Sequence, residues 1–271
     1  MKILHAFLCS VLLSMASSPI LAFDCLIEPN QMVDLGTPVT GLLEQVLVGR
    51  ADRIAKDQVL ARLESRAETA AAELARYKSE LVGPSQLARN KIEFAKQKYG
   101  RRQVMARENL MPAQERDDAE AELRLAEAEL KVATENRQIA KLEHQQQRGL
   151  LALREIRSPF DGVVVEQLAF AGEVVEPGAG KRGILRVAQL DPLRVRVVMP
   201  RNAFGKVQEG MRVEVVPELS GMGPYVAVVR SVDRLLDAAS GTFVVLLELA
   251  NPKLDIPAGV TCEARFEGVG G

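Results

Sequence analysis

The stretch from about Ala67 to Leu153 constrains the fold of this 271-residue chain more than any other. Residues recur in it at alternating spacings of four and three, which is typical of a helix that packs lengthwise along another helix. The first such seam comprises Ala67, Ala71, Leu74, Lys78, Leu81, Ser85, Ala88, Ile92, Ala95 and Tyr99. Because the seam keeps its phase across Gly83 and Pro84, it predicts a kink at these residues rather than an interruption of the helix.

The second half of this stretch carries two seams instead of one. The first comprises Ala119, Leu123, Ala126, Leu130, Ala133 and Ala140. The second comprises Ala121, Leu125, Ala128, Val132, Ile139 and Leu142. A chain that folds back on itself needs only one seam. We therefore interpret the second either as a contact with a neighbouring hairpin or as part of a wide buried face.

Four residues that end in Pro112 separate the two halves, and proline is well placed at the first turn of a new helix. The pattern therefore predicts an antiparallel helical hairpin over residues 65–155, with its tip near Pro112. Each arm has roughly 35 to 40 residues, so at ~1.5 Å per residue the hairpin is a rod on the order of 50 to 60 Å long. Such a rod cannot form a domain core alone.

The N-terminus has the pattern of a signal peptide. Lys2 precedes an apolar segment over residues 3–15, and a small-residue end follows at Ala22. We predict that residues 1–22 are removed and that the mature chain works in the periplasm. A retained membrane anchor is the alternative, but the apolar segment is short for a bilayer span and is broken by serines and a proline.

Removal of the signal peptide leaves two cysteines, Cys25 and Cys262. In an oxidising compartment an even pair of cysteines suggests a disulfide, and the alternative is two buried free thiols.

Short β segments flank the hairpin on both sides and follow related patterns. When Gly41 is set against Gly162, apolar positions correspond, and a four-residue insertion around Gly180 precedes the last matched pair. The matched pairs are Leu43 with Val164, Ile54 with Val175, and Leu60 with Leu185. Each half is too small to bury a face alone, so the two halves are expected to form one β-sandwich.

Beyond Ala188 the sequence alternates apolar and polar residues again, which is typical of strands with one buried face. Turn signals divide this region into five predicted strands near residues 193–199, 211–216, 225–232, 243–249 and 260–266. Five strands with short loops predict a small antiparallel β-barrel.

Three motifs around the hairpin carry a resemblance to a known family: Val39–Leu43, Asp52–Leu63 and, most specifically, Ile156–Val164. They resemble the split lipoyl domain of periplasmic adaptor proteins, also called membrane fusion proteins. The resemblance implies an elongated, multi-domain α+β protein with a split lipoyl-like sandwich (33–64 and 156–187), an inserted coiled-coil hairpin (65–155) and a β-barrel (23–32 and 188–271). It also implies that the N-terminal segment joins the barrel and brings Cys25 near Cys262.

The resemblance further implies partners. Adaptors of this family join an inner-membrane transporter, often of the resistance-nodulation-division (RND) class, to an outer-membrane channel, and they are expected to form homo-oligomers in the assembled complex. Their hairpin tip carries Arg, then Leu four residues on, then Ser seven further, and the matching positions here are Arg101, Met105 and Pro112. The proline removes a hydroxyl donor. The alternative is that Arg101 is only a solvated helix residue and Met105 only a core residue.

The sequence offers little for catalysis, so we predict no enzyme, cofactor or metal site. The mature chain has one histidine, His144. The full chain has a net charge of -1, which favours neither a nucleic-acid partner nor an acidic substrate. Carrier domains attach their cofactor to a lysine at a hairpin tip, but Glu64, Ser65 and Arg66 occupy the corresponding junction. The sequence predicts an export adaptor, and the alternative is a structural coiled-coil scaffold of the cell envelope.

Overall fold

A computed structural model of the chain describes residues 21–178 and 183–267. The predicted signal peptide, apart from Leu21 and Ala22, and the insertion around Gly180 lie outside the described residues. Within the described part, none of the helices has the length and apolar character needed to cross a bilayer.

The structure contains twelve strands and three α-helices among the described residues. The strands are β1 (Leu21–Leu35), β2 (Gly41–Val46), β3 (Arg53–Ile54), β4 (Val59–Leu63), β5 (Glu155–Arg157), β6 (Gly162–Gln167), β7 (Val174–Val175), β8 (Leu185–Pro200), β9 (Arg212–Pro217), β10 (Tyr225–Val232), β11 (Thr242–Leu249) and β12 (Val260–Phe266). The helices are α1 (Arg66–Glu80), α2 (Gly83–Arg107) and α3 (Ala113–Ala152). A short 3-10 helix, Arg201–Ala203, follows β8.

Six strands form a closed antiparallel barrel, which confirms the predicted barrel. Its order is β1, β12, β9, β10, β11 and β8, and β1 also pairs with β8 to close the circle. The alternation predicted for β8 is present, since Val195, Val197 and Met199 are fully buried while Arg194 and Arg196 face outward with partial exposure.

The N-terminal strand is the sixth strand of the barrel, as the resemblance implied. Cys25 of β1 lies opposite Cys262 of β12, and a disulfide bond joins them. Both cysteines are buried in the barrel core. The bond therefore links the first and last strands of the described chain.

The two β pieces that flank the hairpin form one body with a shared apolar core. Strand β2 pairs with β4 and with β7, β4 pairs with β5, and β3 pairs with β6. Its buried side chains include Leu43, Ile54, Leu60 and Leu63 before the hairpin and Ile156, Val164, Val175 and Leu185 after it. Strands β1 and β8 pass from this sandwich into the barrel, because they stay paired from Leu35 and Leu185 to Cys25 and Val197, with one register shift between Pro29 and Gln31.

The first arm of the hairpin is two helices, so the predicted single kinked helix is wrong. Helix α1 ends at Glu80, Leu81 has an extended backbone with ψ of 121°, and α2 begins at Gly83. Pro84 has no N–H to donate to the Glu80 carbonyl, and its ring would clash with that carbonyl in a continuous helix. In the first turn of α2 the missing N–H costs nothing.

The interruption also shifts the buried face of the first arm. In α2 the predicted positions Ala88 and Ala95 are buried, whereas α1 buries Ala72, Ala75 and Ser79. The predicted seam is therefore displaced by one residue in α1.

Candidate partner-binding surfaces of the hairpin

The pairing of α2 with α3 sets the geometry of the hairpin. Small buried residues, Ala88 and Ala95 on α2 and Ala119 and Ala126 on α3, allow the helices to approach closely. Three ion pairs cross between the helices: Lys91 to Glu129 at 2.7 Å, Lys98 to Glu122 at 2.5 Å, and Arg102 to Glu115 at 3.1 Å. Partly exposed pairs contribute about 0–1 kcal/mol each, so their main role here is to fix the register.

The hairpin turns at residues 108–112, and Asn109 makes the turn possible. Its backbone lies in the left-handed region, with φ of 57°. The Asn109 N–H donates to the Ala106 carbonyl at 3.2 Å, and the Leu110 N–H donates to the Met105 carbonyl at 2.9 Å. These two bonds form a Schellman motif, which satisfies the last carbonyls of α2. Asparagine is one of the few residues other than glycine that tolerates this conformation.

Pro112 lies directly before α3 rather than in its first turn. Its backbone is extended, with φ of -60° and ψ of 143°, and its carbonyl accepts the Glu115 N–H at 3.2 Å. The start of α3 carries a further ion pair, in which Asp117 accepts hydrogen bonds from Arg116 at 2.6 and 2.9 Å. This hydrogen bonding raises the pKa of Arg116.

The three predicted tip residues are accessible to a partner. Arg101 and Pro112 are exposed, and Met105 is 44% exposed, so the interpretation of Met105 as a core residue is wrong. The side chain that binds α3 near the tip is that of Arg102, which reaches both the carboxylate and the carbonyl of Glu115. Binding of a channel by Arg101, Met105 and Pro112 stays a prediction.

Sequence reasoning placed Asn109 and Leu110 between the arms but missed the helix cap at Asn109 and the exposed apolar side chains of Val104 and Leu110. Val104 is 53% exposed and Leu110 is 67% exposed. The available signal was Asn109 just beyond the last periodic residue of the first arm, a common way for a helix to end.

The second seam of α3 faces solvent, so the interpretation of a wide buried face is wrong. Its large residues Leu125, Val132 and Ile139 recur every seven residues and are 63%, 55% and 54% exposed. On α2, Leu87 and Phe94 are also seven apart and about equally exposed, at 60% and 61%.

These two rows lie on one face of the hairpin, which we call the apolar face (Leu87, Phe94, Leu125, Val132 and Ile139). Phe94 and Leu125 line the same groove of about 280 Å³, with Ala95 and Ala126 between the helices. Side chains seven residues away on the same helix point in nearly the same direction, which places the other three on this side too. An exposed contiguous row of large apolar side chains is typical of a protein-binding surface.

At the junction that a carrier domain would use, Glu64 and Arg66 bind each other. The Glu64 carboxylate accepts hydrogen bonds from the backbone N–H of Arg66 at 3.1 Å and from its Nε at 2.7 Å. These bonds lower the pKa of Glu64. Across residues 21–178 and 183–267, no group of three His, Cys, Asp or Glu side chains is placed to hold a metal ion.

Comparisons with known proteins agree with this architecture. The family described as a CzcB-like barrel-sandwich hybrid domain matches residues 31–188. The pyoverdine export membrane fusion protein PvdR of Pseudomonas aeruginosa is 24% identical over 187 residues, which are 68% of this chain and 48% of PvdR. The macrolide export protein MacA of Yersinia pestis is 26% identical over 189 residues, which are 69% of this chain and 50% of MacA.

A solved structure shares the fold. The crystal structure of MacA from Actinobacillus actinomycetemcomitans aligns with a TM-score of 0.73 at 21% identity, covering 92% of this chain and 78% of that one. The chain spans about half the length of the curated relatives it matches.

Proposed function

The chain belongs to the family with the CzcB-like barrel-sandwich hybrid domain, the periplasmic adaptor or membrane fusion proteins, and we propose that it is the adaptor subunit of a tripartite export system. In this role it joins an inner-membrane transporter to an outer-membrane channel in the periplasm. The motif resemblance favours an RND transporter and a lipoyl-like character for the sandwich. The protein performs no chemistry of its own and acts by assembling.

The observation that carries this proposal is a long hairpin with an accessible tip that projects from a body built by both of its flanking segments. Helix α3 has 40 residues, which corresponds to about 60 Å of reach. The hairpin leaves the sandwich between β4 and β5, whereas the barrel is connected to the sandwich through β1 and β8. Separate attachment points suit a protein that contacts one partner through the tip and another through the barrel.

The apolar face supports self-association within the assembled complex. Burying one large apolar side chain contributes about 1.5–3 kcal/mol, and five such residues line this face. The seven-residue spacing suits packing against another helix pair, so a second copy of the hairpin is the partner we propose.

Site-specific cross-linking tests the bridging role. A photo-reactive amino acid at Met105 should trap an outer-membrane channel protein in intact cells, because this side chain is exposed beside the tip. The same group at Glu143, an exposed residue near the other end of α3, is the matched control and should not trap the channel. Equal trapping at both positions, or none at Met105, would favour the scaffold alternative.

A further inference from the structure

Arg154 lies where the hairpin returns to the sandwich, and its guanidinium joins three separate segments. Its Nη2 donates to the Glu68 carboxylate at 2.5 Å, and its Nη1 donates to the Thr40 carbonyl at 3.1 Å. Glu68 belongs to the first turn of α1, and Thr40 directly precedes β2. One side chain therefore connects both ends of the hairpin to the sandwich.

Low exposure, a neighbouring glycine and a backbone hydrogen bond all favour the contacts of the Arg154 guanidinium. Arg154 and Glu68 have side chains only 21% and 22% exposed, less than in any of the three ion pairs between α2 and α3. A Cβ atom on Gly41 would lie 2.7 Å from Nη1 of Arg154, so the glycine leaves the space that the guanidinium occupies. The Leu63 N–H donates to the Arg154 carbonyl at 2.8 Å and fixes the backbone of the arginine as well.

The length of the hairpin makes the position of its tip sensitive to its root, which is the junction with the sandwich around Glu68 and Arg154. Helix α3 has 40 residues and is about 60 Å long, so a rotation of about 10° at the root moves the tip by about 10 Å. The ion pairs between α2 and α3 hold the helices to each other and not to the sandwich. The direction of the hairpin therefore depends on groups that bridge the root.

We propose that Arg154 is a positioning residue that fixes the angle at which the hairpin leaves the sandwich. The planar fork of arginine holds two acceptors at once in a defined geometry, which a single ammonium group does not. We call the two hydrogen bonds from Arg154 to Glu68 and Thr40 the clamp. Its biological use rests on the proposed function, because a bridging adaptor needs its tip in a defined position. The clamp itself is a property of the isolated chain.

Pulsed electron paramagnetic resonance on the purified full chain measures this angle as a distance. Spin labels are attached through Lys56→Cys in the sandwich and Arg89→Cys in α2, both exposed positions. Cys25 and Cys262 are joined in a disulfide, and Cys9→Ser removes the thiol of chains that keep the predicted signal peptide. Arg154→Met keeps the aliphatic stem and removes both hydrogen bonds. Since Arg89 lies about 35 Å from the root, a freed root should broaden or shift the distance distribution by several Å.

Three further variants make the test specific. Glu68→Gln should give a smaller change than Arg154→Met, and Arg154→Lys should give an intermediate one. Glu122→Gln is the matched control, because it removes an ion pair of equal length within the hairpin and should leave the distribution unchanged. The helical circular dichroism of the folded variants should stay at the wild-type level.

A wild-type distance distribution in folded Arg154→Met would overturn the proposal. If that variant does not fold, a wild-type distribution in Glu68→Gln would overturn it equally. The outcome is separate from the cross-linking result: an altered angle with no trapped channel rejects the bridging role and leaves the clamp in place.

Discussion

Replacing Gly162 with alanine tests whether the close approach of β6 to β8 holds the sandwich together. A Cβ atom on Gly162 would lie 2.3 Å from the carbonyl oxygen of Ala188 and 3.1 Å from its carbonyl carbon. Real Cβ atoms essentially never come within 3.0 Å of another heavy atom, and the obstructing atom here is backbone, so one strand has to move. Overpacking of this kind costs about 1–3 kcal/mol, and we expect the upper part of that range.

The assay combines urea unfolding, followed by far-UV circular dichroism because the chain has no Trp, with hydrogen exchange. In G162A the amide of Val163 should exchange faster, because this residue pairs with Ala188 of β8. The Val164 N–H donates to the Asp52 carbonyl at 3.0 Å, so it does not report this pairing. The pairing of β10 with β11 lies elsewhere in the barrel and should keep its protection.

Gly100→Ala is the matched control, since Gly100 lies in α2 and a Cβ atom added there would meet no neighbouring heavy atom within 4 Å. The same chemical change there should stabilise the helix by about 0.5–1 kcal/mol. If G162A exchanges at β6 like the wild type and unfolds at the same urea concentration, the steric argument is refuted.

Three further predictions concern the tip, the apolar face and the base of the sandwich. Asn109→Gly should preserve the melting temperature of the hairpin. Asn109→Val should lower the melting temperature, because the positive φ at this position costs a β-branched residue about 1–2 kcal/mol of helix stability. Equal melting temperatures of the two variants would contradict the capping role of Asn109. Val132→Glu should weaken concentration-dependent sedimentation and Lys131→Gln should not, and a wild-type chain that stays monomeric at high concentration argues against self-association. The hydrogen bonds from Arg186 hold the pKa of Asp34 below its ordinary value. The pair therefore stabilises the fold above that ordinary value, and the benefit is lost as pH falls through the lowered pKa. Asp34→Asn should therefore cost up to about 1 kcal/mol at pH 7 and nothing in strong acid, and a difference independent of pH excludes this pair as its cause.

The barrel and the two-part body were predictable because periodicity reports which side chains are buried. The alternation along β8 and the matched positions around Leu43 and Val164 correspond directly to buried faces. The hairpin was predictable for the same reason, since Ala88, Ala95, Ala119 and Ala126 are its buried seam.

Prediction from periodicity failed where the backbone departs from regular helix geometry. The alternating spacing of four and three continues in the sequence through Leu81, but the extended backbone at that residue rotates the buried face of α1 relative to that of α2. Spacing also does not tell which of the two apolar rows on α3 is covered by the first arm, because both rows follow the same seven-residue period.

The root and tip contacts escaped prediction for a different reason. Arg154 is separated by 86 residues from Glu68, and by 114 from Thr40, so no local pattern joins them. Asn109 acts through its backbone conformation, which a search for apolar spacing does not register.

Closure of the barrel by its outermost strands has a consequence for how this protein matures. Strand β1 is made before its partners β8 and β12, which pair with it across 150 residues or more of sequence. Contacts between such distant residues form slowly, because the entropy cost of closing a long loop is incurred before strand pairing offsets it. The newly made strand β1 therefore stays unpaired, with its edges open to aggregation, until β8 and β12 have been synthesised. A chaperone that shields this strand should raise the yield of folded protein.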